Sequence, residues 1–386
     1  MDTTYFPLVK NSLSFFQEHA WDDSLGVFYS ELDVNGVTLS DKVHLVALSR
    51  LVYALSISSE YQASYLEKAR KAADFILTKM VARDEVGPYF IESIDIKQGV
   101  VPSKKLGIWQ QSYGLCGLAA LYKVEKSDQL LEKIHELFDA YYLRFHDVQH
   151  GGFCGEYSLE SGQVKDSKNL QALLYPVSAA LAYLWEADSS YHQNYERVME
   201  EHMDLLFDRG WNEEEGWVQL NFKEDWTIPQ EDGVRKVTPG HNFQLGWNLI
   251  RASSWPFLSE EKRQSYANLG ISILETSMQK PIFDGDVSGG FFREMDARSN
   301  SVVDQRKSWW QHAEAIIALS FLPDKSKERD QLFAFFAQNF VDWKSGGEFF
   351  FLDQDNQPDV EELKGSMGKS SYHITEMVSF LLFNVK

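Results

Sequence analysis

Two kinds of apolar pattern with helical period alternate along the chain. Segments 43–56, 106–122, 170–185, 242–253, 308–321 and 372–383 carry apolar residues on most faces. Segments 65–80, 130–142 and 195–207 carry one apolar stripe opposite charged residues. A helix apolar all round is buried, and a one-striped helix lies between core and solvent. The alternation predicts inner helices, each followed by an outer one. A glycine-plus-aromatic, β-prone run precedes each inner segment: GVFYSELD from Gly26, GPYFIES from Gly87, GGFCGEYS from Gly151, EGWVQLNF from Glu215, GGFFREMD from Gly289 and GGEFFFLD from Gly346. These runs begin 57 to 74 residues apart, a period that marks a repeat architecture. Six helix pairs, with a short hairpin from each outer helix to the next inner one, describe an all-α (α/α)6 barrel. No long Pro/Gly/Ser linker interrupts the series, so residues 1–386 read as a single domain.

The inner helices all start at the same end of such a barrel, so their first turns ring one opening. Read in order, the helices carry there His44 and, two turns on, Arg50; Trp109, Gln110 and Tyr113; Asn169 and Gln171; His241 with Gln244 and Trp247 on the next turn; Trp309, Trp310 and Glu314; and Tyr372 and His373. Aromatic faces stack on the apolar faces of a pyranose, while amides, a guanidinium and a carboxylate satisfy its hydroxyls. Any single aromatic here is more simply core. Polar groups at matched positions in several repeats need partners, and jointly they predict a polar, aromatic pocket. His241 and His373 are the candidates for chemistry, because imidazole exchanges a proton near neutrality. The other candidates would contact substrate. Two links ahead of inner helices, 223–238 and 354–369, are long and polar; such loops are lids or inert insertions, and both readings stand.

Composition narrows the partners. With 44% hydrophobic and 14% aromatic residues the chain has a large core, which excludes global disorder. Its 57 acidic against 37 basic residues, net −20, oppose binding to nucleic acid or anionic membranes. No apolar stretch approaches the roughly 18 residues of a membrane span, and MDTTYFPLVK lacks the features of a secretion signal. Cys116 and Cys154 make no disulfide framework. The expectation is a cytoplasmic monomer or homodimer with a small-molecule sugar as partner. No cofactor and no metal are expected. GSMGKS from Gly365 misses the first glycine of a phosphate loop, which would fall at Leu363. His146 and His150 lack a third ligand nearby. The acidic run 213–215 reads as a solvated loop.

Four motifs, in order on the right repeats, resemble the N-acylglucosamine 2-epimerase superfamily, which includes cellobiose 2-epimerases and mannose-type isomerases. DKVHLVALSRLVYALS matches its first inner helix at Arg50, and TPGHNFQLGWNLIRAS its Gly-His helix at His241 and Trp247. KSWWQHAEAIIAL matches at Trp309, Trp310 and Glu314, and KSSYHITEMVSFLL at Tyr372 and His373. The resemblance implies proton transfer at C2 of an open-chain aldose or N-acyl-hexosamine by one of the two histidines, through an enediolate, without metal or redox cofactor. Two positions depart from the pattern. Gln244 stands where a glutamate is usual, and Gln171 where some branches have a histidine; Pro176 also falls inside the third inner helix, where it should kink or end it. Two other readings remain open. One is a glycoside-processing enzyme, against which no second mouth carboxylate stands out beside Glu314. The other is a sugar-binding scaffold that has lost catalysis.

Overall fold

Outer helices Phe6–His19, Ser64–Lys79, Asp128–Phe145, His192–Arg209, Glu260–Gln279 and Ser326–Asn339 alternate with inner helices in a closed (α/α)6 barrel. The inner ones are Leu45–Ile57, Ile108–Glu125, a third of three parts, Pro239–Ala252, Trp309–Ser320 and Tyr372–Asn384. The computed structural model describes residues 5–101, 103–230 and 233–384. The first four residues of the start read above as lacking a secretion signal lie outside the described residues, as do 231 and 232 of the 223–238 loop. No helix among the described residues is long and apolar enough to cross a membrane.

The chain opens on an outer helix and closes on an inner one, so its two ends complete the sixth pair. Ser12 Oγ lies 3.0 Å from Ser371 Oγ, to which it donates, and Asn11 Nδ2 donates to the Asp342 carbonyl at 3.4 Å. The inner helices pack as neighbours because their small and aliphatic faces bury completely: Leu45, Leu48, Leu55, Leu115, Leu118, Ile316 and Ile317 are all at most 1% exposed. Sequence periodicity places the starts of the first and second inner helices two residues early and that of the fifth one residue early. Short strands stand there instead: Lys42–His44, Lys105–Gly107 and Lys307–Ser308, with Lys236–Val237 ahead of the fourth helix. Each pairs antiparallel with a strand of the following repeat, Val43 opposite Ile94, Leu106 opposite Tyr157, Val237 opposite Met295 and Ser308 opposite Phe351. These ladders satisfy backbone groups that a helix start leaves unpaired and stitch adjacent repeats around the mouth.

Pro176 neither ends nor sharply breaks its helix. Leu170–Tyr175 passes into a π-helical stretch, Pro176–Leu181, and then into Ala182–Ala187. Proline has no N–H to donate, and a wider turn absorbs the missing bond. His202 Nε2 from the outer helix takes the Leu173 carbonyl there at 2.6 Å.

An acidic residue in the hairpin after an outer helix recurs as an anchor. Asp84 accepts from Arg144 at 2.6 Å, Asp147 from Lys168 at 2.8 Å, Asp284 from Lys307 at 2.7 Å and Asp342 from Lys364 at 2.6 Å. The three lysine side chains are fully buried. Lys165 and Lys168 together hold the Asp147 carboxyl well below the usual range, against the opposing effect of its burial. Asp147→Ala would strand Lys168 as a buried unpaired cation. The expected loss is about 3–5 kcal/mol of unfolding free energy, read from the midpoint of a denaturant titration; Glu213→Ala, at an exposed site, serves as the neutral control. The third acid of the run 213–215 is not free in solvent: Glu215 accepts from the buried Arg235.

Candidate active site

Glu314 lies at the centre of the mouth, fully buried. Trp247 Nε1 donates to its Oε2 at 2.7 Å and Gln244 Nε2 to its Oε1 at 3.2 Å. His373 Nδ1 stands 3.3 Å from that same Oε1, though not aligned as a hydrogen bond. The helical period puts Tyr372 and Glu376 on one face of the sixth inner helix. Glu376 accepts from the Tyr372 hydroxyl at 2.6 Å and from the Tyr183 hydroxyl. Ligand-type atoms of Glu314, His373 and Glu376 fall within 4.8 Å of one another. We do not read them as a metal centre, because Trp247, Gln244, Tyr183 and Tyr372 already direct four N–H or O–H groups at the two carboxyls.

Burial governs the protonation states. It pushes the Glu314 carboxyl up to about 7, against the Trp247 donor. Burial, followed by repulsion from Glu314, does the same for Glu376. Desolvation pulls His373 down to about 3 and His241 to about 4, so both imidazoles are neutral at physiological pH.

Trp310 touches both imidazoles, its ring centre 5.1 Å from His241 and 6.2 Å from His373. Trp309 meets His373 edge-on at 5.8 Å. The Arg50 guanidinium carbon lies 4.1 Å from the Tyr113 ring centre, 5.1 Å from that of Tyr372 and 5.7 Å from that of Trp109. Its Nη1 donates to the Gly368 carbonyl. The 354–369 loop is thus no inert insertion. Lys364 and Lys369 pin it, the latter donating to the Glu348 carbonyl at 2.6 Å, and its Gly368 closes over the guanidinium. The 223–238 loop instead buries Trp226 against Lys168 and the Gly151 carbonyl.

The structure therefore brings together Arg50, Trp109, Tyr113, His241, Gln244, Trp247, Trp309, Trp310, Glu314, Tyr372 and His373. The Trp247 ring packs on Phe321 and Phe380 while its N–H donates to Glu314. Gln171 stays apart. It is exposed and, with Gln110, lines a polar notch of about 260 Å³ beside Glu92, Lys105 and Glu156. His44 pairs with Glu31 at 3.3 Å, and Asn169 caps its helix through the Ala172 N–H. The expectation of one mouth carboxylate needs correction, because Glu376 is a second. A lone acid inside the apolar run ITEMVSFLL was the available signal. Tyr183, in an aliphatic stretch of the third inner helix, gave none.

Among the buried polar atoms without hydrogen-bond partners, several stand at this mouth: Arg50 Nε, His241 Nδ1, Gln244 Oε1, Trp309 Nε1 and His373 Nδ1. Each such atom costs about 1–3 kcal/mol, so their clustering points to a polar ligand. A cavity of about 1020 Å³ opens at the other end of the barrel among Tyr53, Trp185, Arg251, Trp255, Phe321 and Phe380. None of the predicted site residues lines it.

Comparison with known proteins bears on the family and the fold. The family described as N-acylglucosamine 2-epimerase matches residues 13–377. A cellobiose 2-epimerase of Dictyoglomus turgidum is 20% identical over 95% of this chain and 94% of its own. A solved cellobiose 2-epimerase from Spirochaeta thermophila superposes with TM-score 0.80 at 21% identity, covering 100% of this chain and 99% of that one. A solved D-mannose isomerase superposes with TM-score 0.81 at 16% identity, over 99% and 98% of the two chains.

Proposed function

The chain belongs to the N-acylglucosamine 2-epimerase family, and from that premise we propose that it moves the C2 proton of an open-chain aldose or N-acyl-hexosamine by histidine acid–base chemistry. At the coarser level it is an enzyme of the sugar 2-epimerase or isomerase kind. The observation that carries the finer reading is the Glu314 carboxyl set against His373 Nδ1, with Trp247 and Gln244 holding it there.

His373 is the base. A small rotation that aligns His373 Nδ1–H on the carboxylate 3.3 Å away holds the proton on that nitrogen, leaves the Nε2 lone pair free and stabilises the imidazolium that forms. His241 has no such partner: its Nδ1 is buried and unpaired, and Gln244 spends its amide on Glu314. Nε2 of His373 takes the C2 proton, and the C2–H electron pair forms the C1–C2 double bond as the carbonyl pair moves onto O1; the product is an enediolate from an aldose or an amido-enolate from an N-acyl-hexosamine, and its oxygen charge faces the Arg50 guanidinium. Return of a proton to the opposite face of C2 by His241 gives the epimer; for an aldose, return to C1 with transfer of the O2 proton to O1 gives the ketose. His241 must then enter its step protonated, a state that desolvation disfavours and the enediolate charge favours.

Glycoside hydrolysis fits less well although two carboxyls are present. That chemistry needs them on either side of the scissile bond, whereas Glu314 and Glu376 are 0% and 2% exposed and engaged by indole, amide and phenol donors. The test is proton NMR in D2O with glucose, mannose, N-acetylmannosamine, cellobiose and lactose. Loss of a C2 proton signal is expected for one of them, and the product spectrum distinguishes epimer from ketose. Saturable sugar binding without exchange would instead support a scaffold that has lost catalysis. The working form needs Glu314 ionised. With that carboxyl pushed up to about 7, the exchange rate should be low in acid and rise through neutrality to a plateau.

A further inference from the structure

We propose that Glu376 and Glu314 form one carboxyl–carboxylate unit, in which Glu376 is a positioning residue that sets the charge presented to His373. The inference rests on the proton-transfer reading above and assigns a role to a residue that makes no contact with the reacting sugar.

Glu314 comes from the fifth inner helix and Glu376 from the sixth, and with His373 their ligand-type atoms lie within 4.8 Å. Two carboxyls that close in a dry interior do not both ionise independently; their protons leave in steps that belong to the pair. The cations near Glu376 are already committed. Arg50, on the first inner helix, donates to the Gly368 carbonyl, and Arg251, on the fourth, pairs with Glu186. Lys369 donates to the Glu348 and Lys364 carbonyls. The other titratable groups around it are the phenols of Tyr53, Tyr113, Tyr183 and Tyr372 and the Cys116 thiol, and burial pushes all five up, so they stay neutral. Two of those phenols donate to one Glu376 oxygen. A negative charge on Glu376 therefore rests mainly on hydrogen bonds until His373 becomes protonated.

The sign of the effect follows. A negative neighbour raises the pKa of both a carboxyl and an imidazole. Glu376 thus makes His373 a stronger base than its burial alone would allow, and the mutual repulsion of the two carboxyls adds to the burial that holds Glu314 near neutrality. When His373 accepts the C2 proton, the unit already carries the one negative charge that the imidazolium needs.

Glu376→Gln should lower kcat about tenfold with KM unchanged and move the acidic limb of kcat/KM about one pH unit lower. Glu376→Asp should restore the wild-type limb. In sugar-free protein, the infrared carboxyl band of the unit should titrate at lower pH in Glu376→Gln. In Tyr183→Phe, which removes one donor to the ionised form, it should titrate at higher pH. A limb and a carboxyl titration that stay where they are in these variants overturn the proposal, whatever happens to kcat. The infrared arm needs no substrate, so it decides the unit even if no sugar undergoes C2 exchange, and the two readings fail separately.

Discussion

Replacing His373 with alanine is expected to lower turnover roughly 10²–10⁴-fold, the usual contribution of a positioned acid–base group. The variant removes a side chain that is 5% exposed, in edge contact with Trp309 and beside Glu314. Sugar binding should survive, because Arg50, Trp309 and Trp310 remain. The measurement is C2 proton exchange into solvent D2O, with sugar affinity followed separately by calorimetry. His241→Ala sharpens the result. If His373 abstracts the proton and His241 returns it, this variant should still exchange the C2 proton while forming little epimer. Exchange that survives in His373→Ala and vanishes in His241→Ala would reverse the two roles.

Arg50→Met should cost about 10²–10³-fold in kcat, the range seen when one preorganised donor to a developing oxyanion is lost. The guanidinium is 4% exposed and framed by three aromatic rings, so little water competes for its protons. In the closed mouth one of its N–H groups is spent on the Gly368 carbonyl. A sugar oxygen that binds Arg50 replaces that carbonyl, so ground-state affinity reflects an exchange of partners, whereas the enediolate gains the full ionic interaction. Methionine preserves the apolar stem and removes the charge. The expected signature is a large fall in kcat with a smaller change in KM. A change confined to KM would limit Arg50 to ground-state binding.

The barrel was legible because its cause is local. Apolar residues on every face of 308–321 and a single stripe on 130–142 state burial directly, and the glycine-aromatic runs state where the chain turns. The ladders between repeats were not legible. Val43 pairs with Ile94 through backbone groups, and nothing in either side chain names the other. The burial of Lys307 and Lys364 was not legible for a related reason: nothing along the chain names Asp284 and Asp342 as their partners.

The site divides in the same way. The sequence by itself determined which residues stand on the first turns of the inner helices, because helical period and repeat order follow from the order of residues along the chain. It thereby named Arg50, His241, Glu314 and His373. Only the tertiary structure decided which of these meet: Glu314 faces His373 rather than His241, Trp247 donates to the Glu314 carboxyl, Gln171 stays at the rim, and Glu376 joins the centre. Those outcomes depend on rotations and offsets between helices packed from distant parts of the chain. A shift of a few ångströms there makes or breaks a hydrogen bond without changing the periodicity of either helix.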